Sequence, residues 1–406
     1  MASFVGKPED TNLCVLLYSG GLDTSCMLKW IQENYDCEVV SLTVDVGQKT
    51  KDFIEIERKA KELGVKKHYM IDAKKEFAEE YVFPALKANA LYEGIYPLSS
   101  SLSRPLIAKW GVKVAEREGA DAVAHGCSGK GNDNVRFNVT VTTLNPDLKI
   151  VAPVVEWNMS REEEIEYAKQ HGIPLETDSP YSIDENLWGR SIECGILEHP
   201  DQEPPEEVFA WTTTPEKAPN TPEYVEIEFE RGIPVSLNGE GLEASDLIIR
   251  LNEIGGRHGV GRLDHMEDRI VGLKSREVYE CPAATILIQS HKDVEKAVST
   301  RHEVMYKQWI DQQWAYLAYA GLWVDPARED LDAFIDKVNE KVEGVVKTKL
   351  YKGHSKVVGR QSRSMLYDYN LATYGERSTF NQKSSMGFIE LWGLQSKMAN
   401  LAKRER

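Results

Sequence analysis

The sequence predicts an α/β domain with a parallel sheet, followed by an α+β domain and a C-terminal helical arm. Three observations carry this prediction. Short apolar, β-branched runs alternate with helical stretches over the first 175 residues, the pattern of parallel strands covered on both faces. Beyond about residue 175 the strands alternate apolar with charged residues, as antiparallel strands with one wet face do. From Phe388 to Arg406, Leu391, Leu394, Met398 and Leu401 stand at 3-4-3 spacing, a narrow apolar seam on one helix. The expected domains are 1–175, 176–370 and 371–406.

In order, Leu13–Tyr18 reads as a strand that ends at Ser19-Gly20-Gly21, and a helix follows from about Thr24. Val39–Val44 is a second strand, Lys51–Leu63 a helix stopped by Gly64, and Lys67–Ile71 a third strand. Helices are expected around Lys74–Ala90 and Arg104–Glu118, with Pro105 in the first turn of the latter. Ala120–Ala124 and Ile150–Val154 read as buried strands, and Ser160 with Glu163 as a capping box for a helix ending near His171-Gly172. Six prolines between Pro200 and Pro222 predict an extended segment. Val225–Phe229 and Ile233–Leu237, joined at Arg231-Gly232, predict a hairpin. Helices near Ala244–Ile254 and Asp293–Leu317 and strands near Glu343–Tyr351 and Ser355–Gly359 complete the α+β part.

The 406 residues are 41% hydrophobic and 28% charged, with 49 Lys and Arg against 65 Asp and Glu, a net charge of −16. That balance argues against a nucleic-acid binder and disfavours an anionic membrane surface. No apolar run reaches transmembrane length, and the short polar start, Met1–Asn12, predicts no signal peptide. Six cysteines without a CxxC pair predict reduced thiols, hence a cytoplasmic protein without a zinc site.

Chemistry concentrates in two loops, both at strand C-termini, where ligands of such sheets bind. In Ser19-Gly20-Gly21-Leu22-Asp23-Thr24-Ser25 the glycines let the backbone N–H groups turn inward, three hydroxyls add donors, and a helix opens. This is a cradle for phosphate oxygens. It is not a Walker loop, because no G-x-x-x-x-G-K-[S/T] string occurs. Asp23 would repel phosphate unless a Mg²⁺ ion mediates, and its plainer reading is a helix N-cap. The second loop, His125-Gly126-Cys127-Ser128-Gly129-Lys130-Gly131-Asn132-Asp133, leads to Arg136. It combines close-approach glycines with two cations, an amide and an acceptor carboxylate.

The SGGxDxS pattern resembles the loop of the ATP pyrophosphatases, and with it an adenine nucleotide alpha hydrolase-like domain is implied. The strings YSGGLDTS, DVGQ (Asp45–Gln48), HGCSGKGND, ALYEGIYPLSSSLSRP (Ala90–Pro105), YSIDENLWGRSIECG (Tyr181–Gly195), KAPNTPE (Lys217–Glu223) and HGVGRLDHMEDRIVGLKSREVYECPA (His258–Ala283) together resemble the argininosuccinate synthase family. The resemblance implies ligation of citrulline to aspartate with ATP and Mg²⁺, releasing AMP and pyrophosphate, by a homotetramer joined through the C-terminal arm. It assigns ATP to Leu17, Tyr18, Ser19, Gly20, Gly21, Leu22, Asp23, Thr24, Ser25, Val44, His125, Gly126, Gly129, Lys130 and Gly131. Aspartate falls to Ser128, Asn132 and Asp133. Citrulline falls to Tyr96, Ser101, Asn132, Arg136, Ser182, Ser191, Glu267 and Tyr279. Asp133, Asp23 and Arg104 are the expected catalytic residues. No protein side-chain cluster is expected to hold metal, so Mg²⁺ would arrive with ATP. Ser128 replaces a threonine common in the family, and Ser99 a common glycine.

The chemistry agrees with that assignment. An acidic chain can hold substrate carboxylates and phosphates only at local cations such as Arg136 and Arg104, and Glu267 suits an ammonium. Asp133 can orient or deprotonate the aspartate amine, and a phosphate oxygen could accept the proton instead. Gly239–Ala244 fits a loose dinucleotide pattern, but it follows a hairpin and reads as a turn. Gly256–Gly261 is Gly-rich and basic. Two rivals stand: an enzyme adenylating tRNA bases, opposed by the charge, and a non-catalytic nucleotide-binding module, which would not need the second domain's Ser182, Glu267 and Tyr279.

Overall fold

A computed structural model describes residues 4–49, 52–157, 159–174 and 179–404. The expected helix start at Lys51, the boundary at 175–176 and the last residues of the arm lie outside them. The chain divides into two compact units, Met1–Ser364 and Met365–Arg406.

Five strands, β1 (Leu13–Leu17), β2 (Glu38–Asp45), β3 (Lys67–Asp72), β4 (Ala122–Ala124) and β5 (Lys149–Val151), form an all-parallel sheet in the order β3-β2-β1-β4-β5. The run of β1 is buried on both faces. Leu13, Val15 and Leu17 join the larger core, and Cys14 and Leu16 a second core on the opposite face. A parallel strand between two helix layers requires this double burial. The strand order reverses between β1 and β4, so their C-terminal ends open a crevice there.

The remaining strands are antiparallel. β6 (Ser182–Asn186), β7 (Gly189–Glu193), β11 (Arg262–Asp268) and β12 (Lys274–Glu280) pair in the order β11-β12-β7-β6. β8 (Glu223–Glu230), β9 (Ile233–Leu237), β10 (Glu240–Gly241), β13 (Gly344–Tyr351) and β14 (His354–Gln361) pair as β10-β9-β8-β13-β14. β8 buries Val225, Ile227 and Phe229 and leaves alternate residues wet, and its turn at Arg231-Gly232 holds both residues at positive φ, as a two-residue hairpin requires. Asn238-Gly239 is a second such turn, with φ of 54° and 79°. The loose dinucleotide pattern there runs from this turn through β10 to a helix at Ala244 and opens no βαβ unit.

Four sequence expectations are corrected. The helix read from Arg104 starts at Ser99, leaving Pro105 inside it. Tyr96 explains the earlier start: its hydroxyl accepts from the Ser100 and Ser101 N–H groups (2.9 and 3.4 Å), satisfying donors that a helix end leaves open. The stretch Asp293–Leu317 is two helices, Pro282–Val298 and Arg301–Tyr319. Thr300 and Glu303 form a capping box that starts the second. The helix over Lys74–Lys87 carries a π turn at Ala78–Val82, just before Pro84, which has no N–H to give. In the second unit, Gly393 ends one helix (Ser384–Trp392) before another (Leu394–Arg404). Leu391 therefore does not share a continuous helix with Leu394, Met398 and Leu401. All four are exposed.

Candidate active site

The cradle grows directly out of β1. Gly20 turns the chain at φ 79°, a left-handed conformation, and an added Cβ would stand 2.5 Å from Ile56 Cγ1. The helix Leu22–Tyr35 then begins. Ser19 Oγ accepts from Gly21 N–H (3.4 Å) and shares a hydrogen bond with Thr24 Oγ1 (3.2 Å), so the hydroxyls lock the turn. Tyr18 is tied to Ser25 through hydroxyls (2.9 Å), and its carbonyl accepts from Thr43 (2.7 Å). The helix N-terminus thus points its unpaired N–H groups at the crevice. Gly21 occupies the N-cap position, so Asp23 is not the N-cap. Its carboxylate pairs instead with Arg161, at 2.6 Å. Burial, and then the nearby Asp23 charge, push the Glu164 carboxyl beside this pair up to about 7.

The second loop leaves β4 at His125, which is buried, bonded to Asn138 Oδ1 (2.7 Å) and accepting from Cys127 N–H (3.2 Å). Burial lowers its pKa, so the ring is neutral. Gly126 packs on Met27, whose Cε lies 2.4 Å from where a Cβ would be. A helix then runs from Asn132 to Leu144, presenting Asn132, Asp133 and Arg136 from its first turns.

Between the loops lies a cleft of about 630 Å³. From the expected ATP set it is lined by Leu17, Tyr18, Ser19, Gly21, Leu22, Asp23, Thr24, Val44, His125 and Gly126, and beside them stand Arg104, Asp133 and Ser182. Asp133 is pinned by two guanidiniums: Arg104 Nε donates to Oδ2 and Arg136 Nη1 to Oδ1, both at 2.8 Å. Burial pushes its carboxyl up, but the two cations outweigh that and hold it at about 2. Arg104 also pairs with Asp184 at 2.8 Å.

The other expected residues gather beside this cleft, in the core. Tyr96 stacks on Tyr279 with ring centroids 4.3 Å apart. Tyr279 donates to Glu267 Oε2 at 2.5 Å. Ser191 shares a hydrogen bond with Ser100 (3.2 Å), next to Ser101. Asn132 Oδ1 accepts from Ile270 N–H (2.8 Å), and Lys130 offers its carbonyl to Arg269 (3.4 Å). The β11–β12 turn therefore clasps the glycine-rich loop. The Nη2 of Arg136 and the hydroxyl of Ser101 are buried with no hydrogen-bond partner among the described residues. Gly20 and Ser25 shape the cradle from behind. Ser128, Gly129, Lys130 and Gly131 stand on the loop without lining the cleft.

Sequence reasoning missed Arg161, Asp184 and Tyr319. Arg161 and Asp184 line the cleft, and Tyr319 binds both Asn132 and Glu267. No spacing marks them. Arg161 sits in a charge-rich helix start, and Tyr319 ends an aromatic-rich helix that reads as core.

The parallel sheet with a glycine cradle at its switch point, facing a mixed-charge pocket from antiparallel strands, defines a nucleotide-dependent enzyme of α/β class. Residues 13–174 match the family model described as the arginosuccinate synthase N-terminal HUP domain, and residues 181–399 that of the arginosuccinate synthase C-terminal domain. The chain belongs to the argininosuccinate synthase family. It is 58% identical to the argininosuccinate synthase of Pyrococcus furiosus over 95% of this chain and 93% of that protein. It is 56% identical to that of Oceanobacillus iheyensis over 95% and 92%. With that of Methanocaldococcus jannaschii it shares 54% over 97% and 99%.

Proposed function

We propose that this chain joins L-citrulline to L-aspartate at the expense of ATP, giving argininosuccinate, AMP and pyrophosphate, as a step of arginine biosynthesis. The observation that carries the reading is the single cleft that exposes both the cradle and the Arg104–Asp133 pair, so an α-phosphate and an amino-acid amine could meet in one space. ATP would lay its phosphates against Leu17–Ser25 and its remaining atoms against Val44 and the His125–Gly131 loop. Citrulline's carboxylate suits the unpartnered Arg136 Nη2, with Tyr96 and Ser101, and its ammonium suits Glu267 and Tyr279. Ser182 and Ser191 would flank it. Aspartate would meet Ser128, Asn132 and Asp133.

The reaction has two displacements. The ureido oxygen of citrulline attacks the α-phosphorus and pyrophosphate leaves, giving a citrullyl-adenylate. The aspartate amine then attacks the ureido carbon and AMP leaves. The aspartate ammonium must lose a proton before it attacks. With its pKa near 2, Asp133 is a poor acceptor for that proton but a fixed hydrogen-bond acceptor, so its role is to orient the amine. Arg104 holds Asp133 in place, and a phosphate oxygen or solvent takes the proton. Register of three substrates supplies much of the rate.

Among the described residues no group of three His, Cys, Asp or Glu could hold a metal ion. Asp23, at the cradle mouth and paired with Arg161, would face an ion whose other oxygens come from the nucleotide. Bound Mg²⁺ would there neutralise phosphate charge, with Arg161 as the neighbouring cation. The exposed Phe388, Leu391, Trp392, Leu394 and Met398 of the second unit support docking on a neighbouring subunit, in keeping with the homotetramer that the family resemblance implies. The free cysteines support a reducing, cytoplasmic setting. No helix among the described residues is long and apolar enough to cross a membrane.

The test is pyrophosphate release with each substrate omitted in turn. Release that needs citrulline, with argininosuccinate and AMP formed once aspartate is added, is the expected result. ATP binding without release in the full mixture would overturn the reading.

A further inference from the structure

We propose that Tyr319 is a positioning residue that sets the geometry of the groups receiving citrulline, an inference that rests on the citrulline assignment above. Tyr319 is the last residue of the helix Arg301–Tyr319 and is buried. Each of its parts holds a different neighbour. Its hydroxyl accepts from Asn132 Nδ2 at 2.8 Å and donates to Glu267 Oε1. Its ring stacks on Tyr92, with centroids 3.5 Å apart and planes 5° apart, and lies 4.8 Å from the Arg136 guanidinium. Its carbonyl accepts from Arg136 Nε at 2.9 Å.

The carbonyl contact follows from helix geometry. The last four carbonyls of a helix have no partner within it, and Arg136 satisfies this one. Gly321, at φ 76°, turns the chain away so closely that an added Cβ would stand 2.9 Å from Arg136 Cα. The helix end and Arg136 are thereby locked together. The hydroxyl contact follows from charge. Glu267 is buried on β11 and needs donors. Tyr279 supplies one at Oε2 and Tyr319 the other at Oε1. Burial first, and then the Glu267 charge, raise the Tyr319 phenol well above its ordinary value, so it stays a donor throughout the working pH range. Asn132, Arg136 and Glu267 come from two elements, the helix Asn132–Leu144 and β11. Tyr319, from a third, binds all three.

The decisive variant is Tyr319→Phe, which keeps the ring and the carbonyl and removes only the hydroxyl. Steady-state pyrophosphate release is measured for Tyr319→Phe, Glu267→Gln and the double variant. Tyr319→Phe should raise the KM for citrulline about tenfold, the range of one hydrogen bond to a charged group, while the KM for ATP stays within about twofold. Because Tyr319 acts in part through Glu267, the double variant should lose less than the sum of the two single losses. A citrulline KM within about twofold of wild type, or effects that simply add, would overturn the proposal. If Glu267→Gln leaves the citrulline KM unchanged, the citrulline assignment itself fails and takes this inference with it. If Tyr319→Phe does not give a cooperative thermal melt, Tyr319→Met is judged by the same criteria.

Discussion

At the phosphate cradle nine consecutive residues, Leu17–Ser25, present backbone N–H groups and hydroxyls, and the turn at Gly20, locked by the Ser19 and Thr24 hydroxyls, gives them their shape. At the amino-acid end, Tyr96, Arg136, Glu267, Tyr279 and Tyr319 come from separate elements, and side chains do the holding. The cradle is contiguous in the chain, with few outside contacts such as Thr43, Ile56 and Arg161. The amino-acid end is a consensus of distant segments and is exposed to any of them. The first kind of site tolerates little change in backbone and much in side chains, and the second the reverse.

The sharpest way to break this contrast is Gly20→Ala. A Cβ there meets Ile56 at 2.5 Å on a backbone already at φ 79°, so pyrophosphate release should fall by at least about a hundredfold. Release within about threefold of wild type would show that the cradle is not set by its backbone. Next comes Asp133→Asn, which removes the counter-charge of Arg104 and Arg136. The KM for aspartate should rise about tenfold to a hundredfold. With its acid held at about 2, Asp133 stays ionised at any working pH, so the wild-type pH–rate profile should show no acidic limb above about pH 4 that Asp133→Asn removes. Arg136→Lys should be smaller. A lysine lacks the planar fork, so the citrulline KM should rise about tenfold with the ATP KM little changed.

The smallest effect lies in the support of the amino-acid end. Asp311, two turns before Tyr319 on the same helix, is buried against Lys307 (2.8 Å) and Asn89 (3.0 Å). Burial pushes its carboxyl up to about 7, against the pull of Lys307. The unfolded value is about 3.9, so the folded state binds the proton more tightly. Its stabilisation is complete below about pH 4 and is lost as pH rises through about 7. Between roughly pH 5 and pH 8 the thermal midpoint of the wild type should therefore fall more than that of Asp311→Asn, on the order of 2–4 °C. Equal slopes would remove Asp311 from the account.

The same contrast explains what the sequence could and could not reveal. The cradle and strands β1, β2 and β4 are legible because each is a contiguous signal, an apolar run with a glycine close behind it, whereas β3 and β5 lack that glycine and the strand read over Ile150–Val154 gives way to a helix at Pro153. The start at Ser99 was hidden behind Pro105, since the cap is a tyrosine hydroxyl three residues upstream rather than a local Ser or Asp. The break at Thr300 was hidden by apolar residues on both sides of a capping box. Gly393 interrupts a seam whose spacing alone reads as one helix. Tyr319 and Arg161 carry no local pattern. Their partners lie as far as 227 and 138 residues away, and no short window along the chain contains both ends.

The clasp between the glycine-rich loop and the later chain also sets an order of events during synthesis. Strands β1–β5 are complete once Val151 has left the ribosome. Asn132 meets its partners only when Ile270 and then Tyr319 follow, 138 and 187 residues behind it. At about 5–20 residues per second, Asn132 waits about 10–40 s for Tyr319 to be made. For that interval a nascent chain can own a phosphate-binding half without an acceptor half, and the first turn of the helix at Asn132 is held by Arg104 through Asp133 but not yet at Asn132 itself.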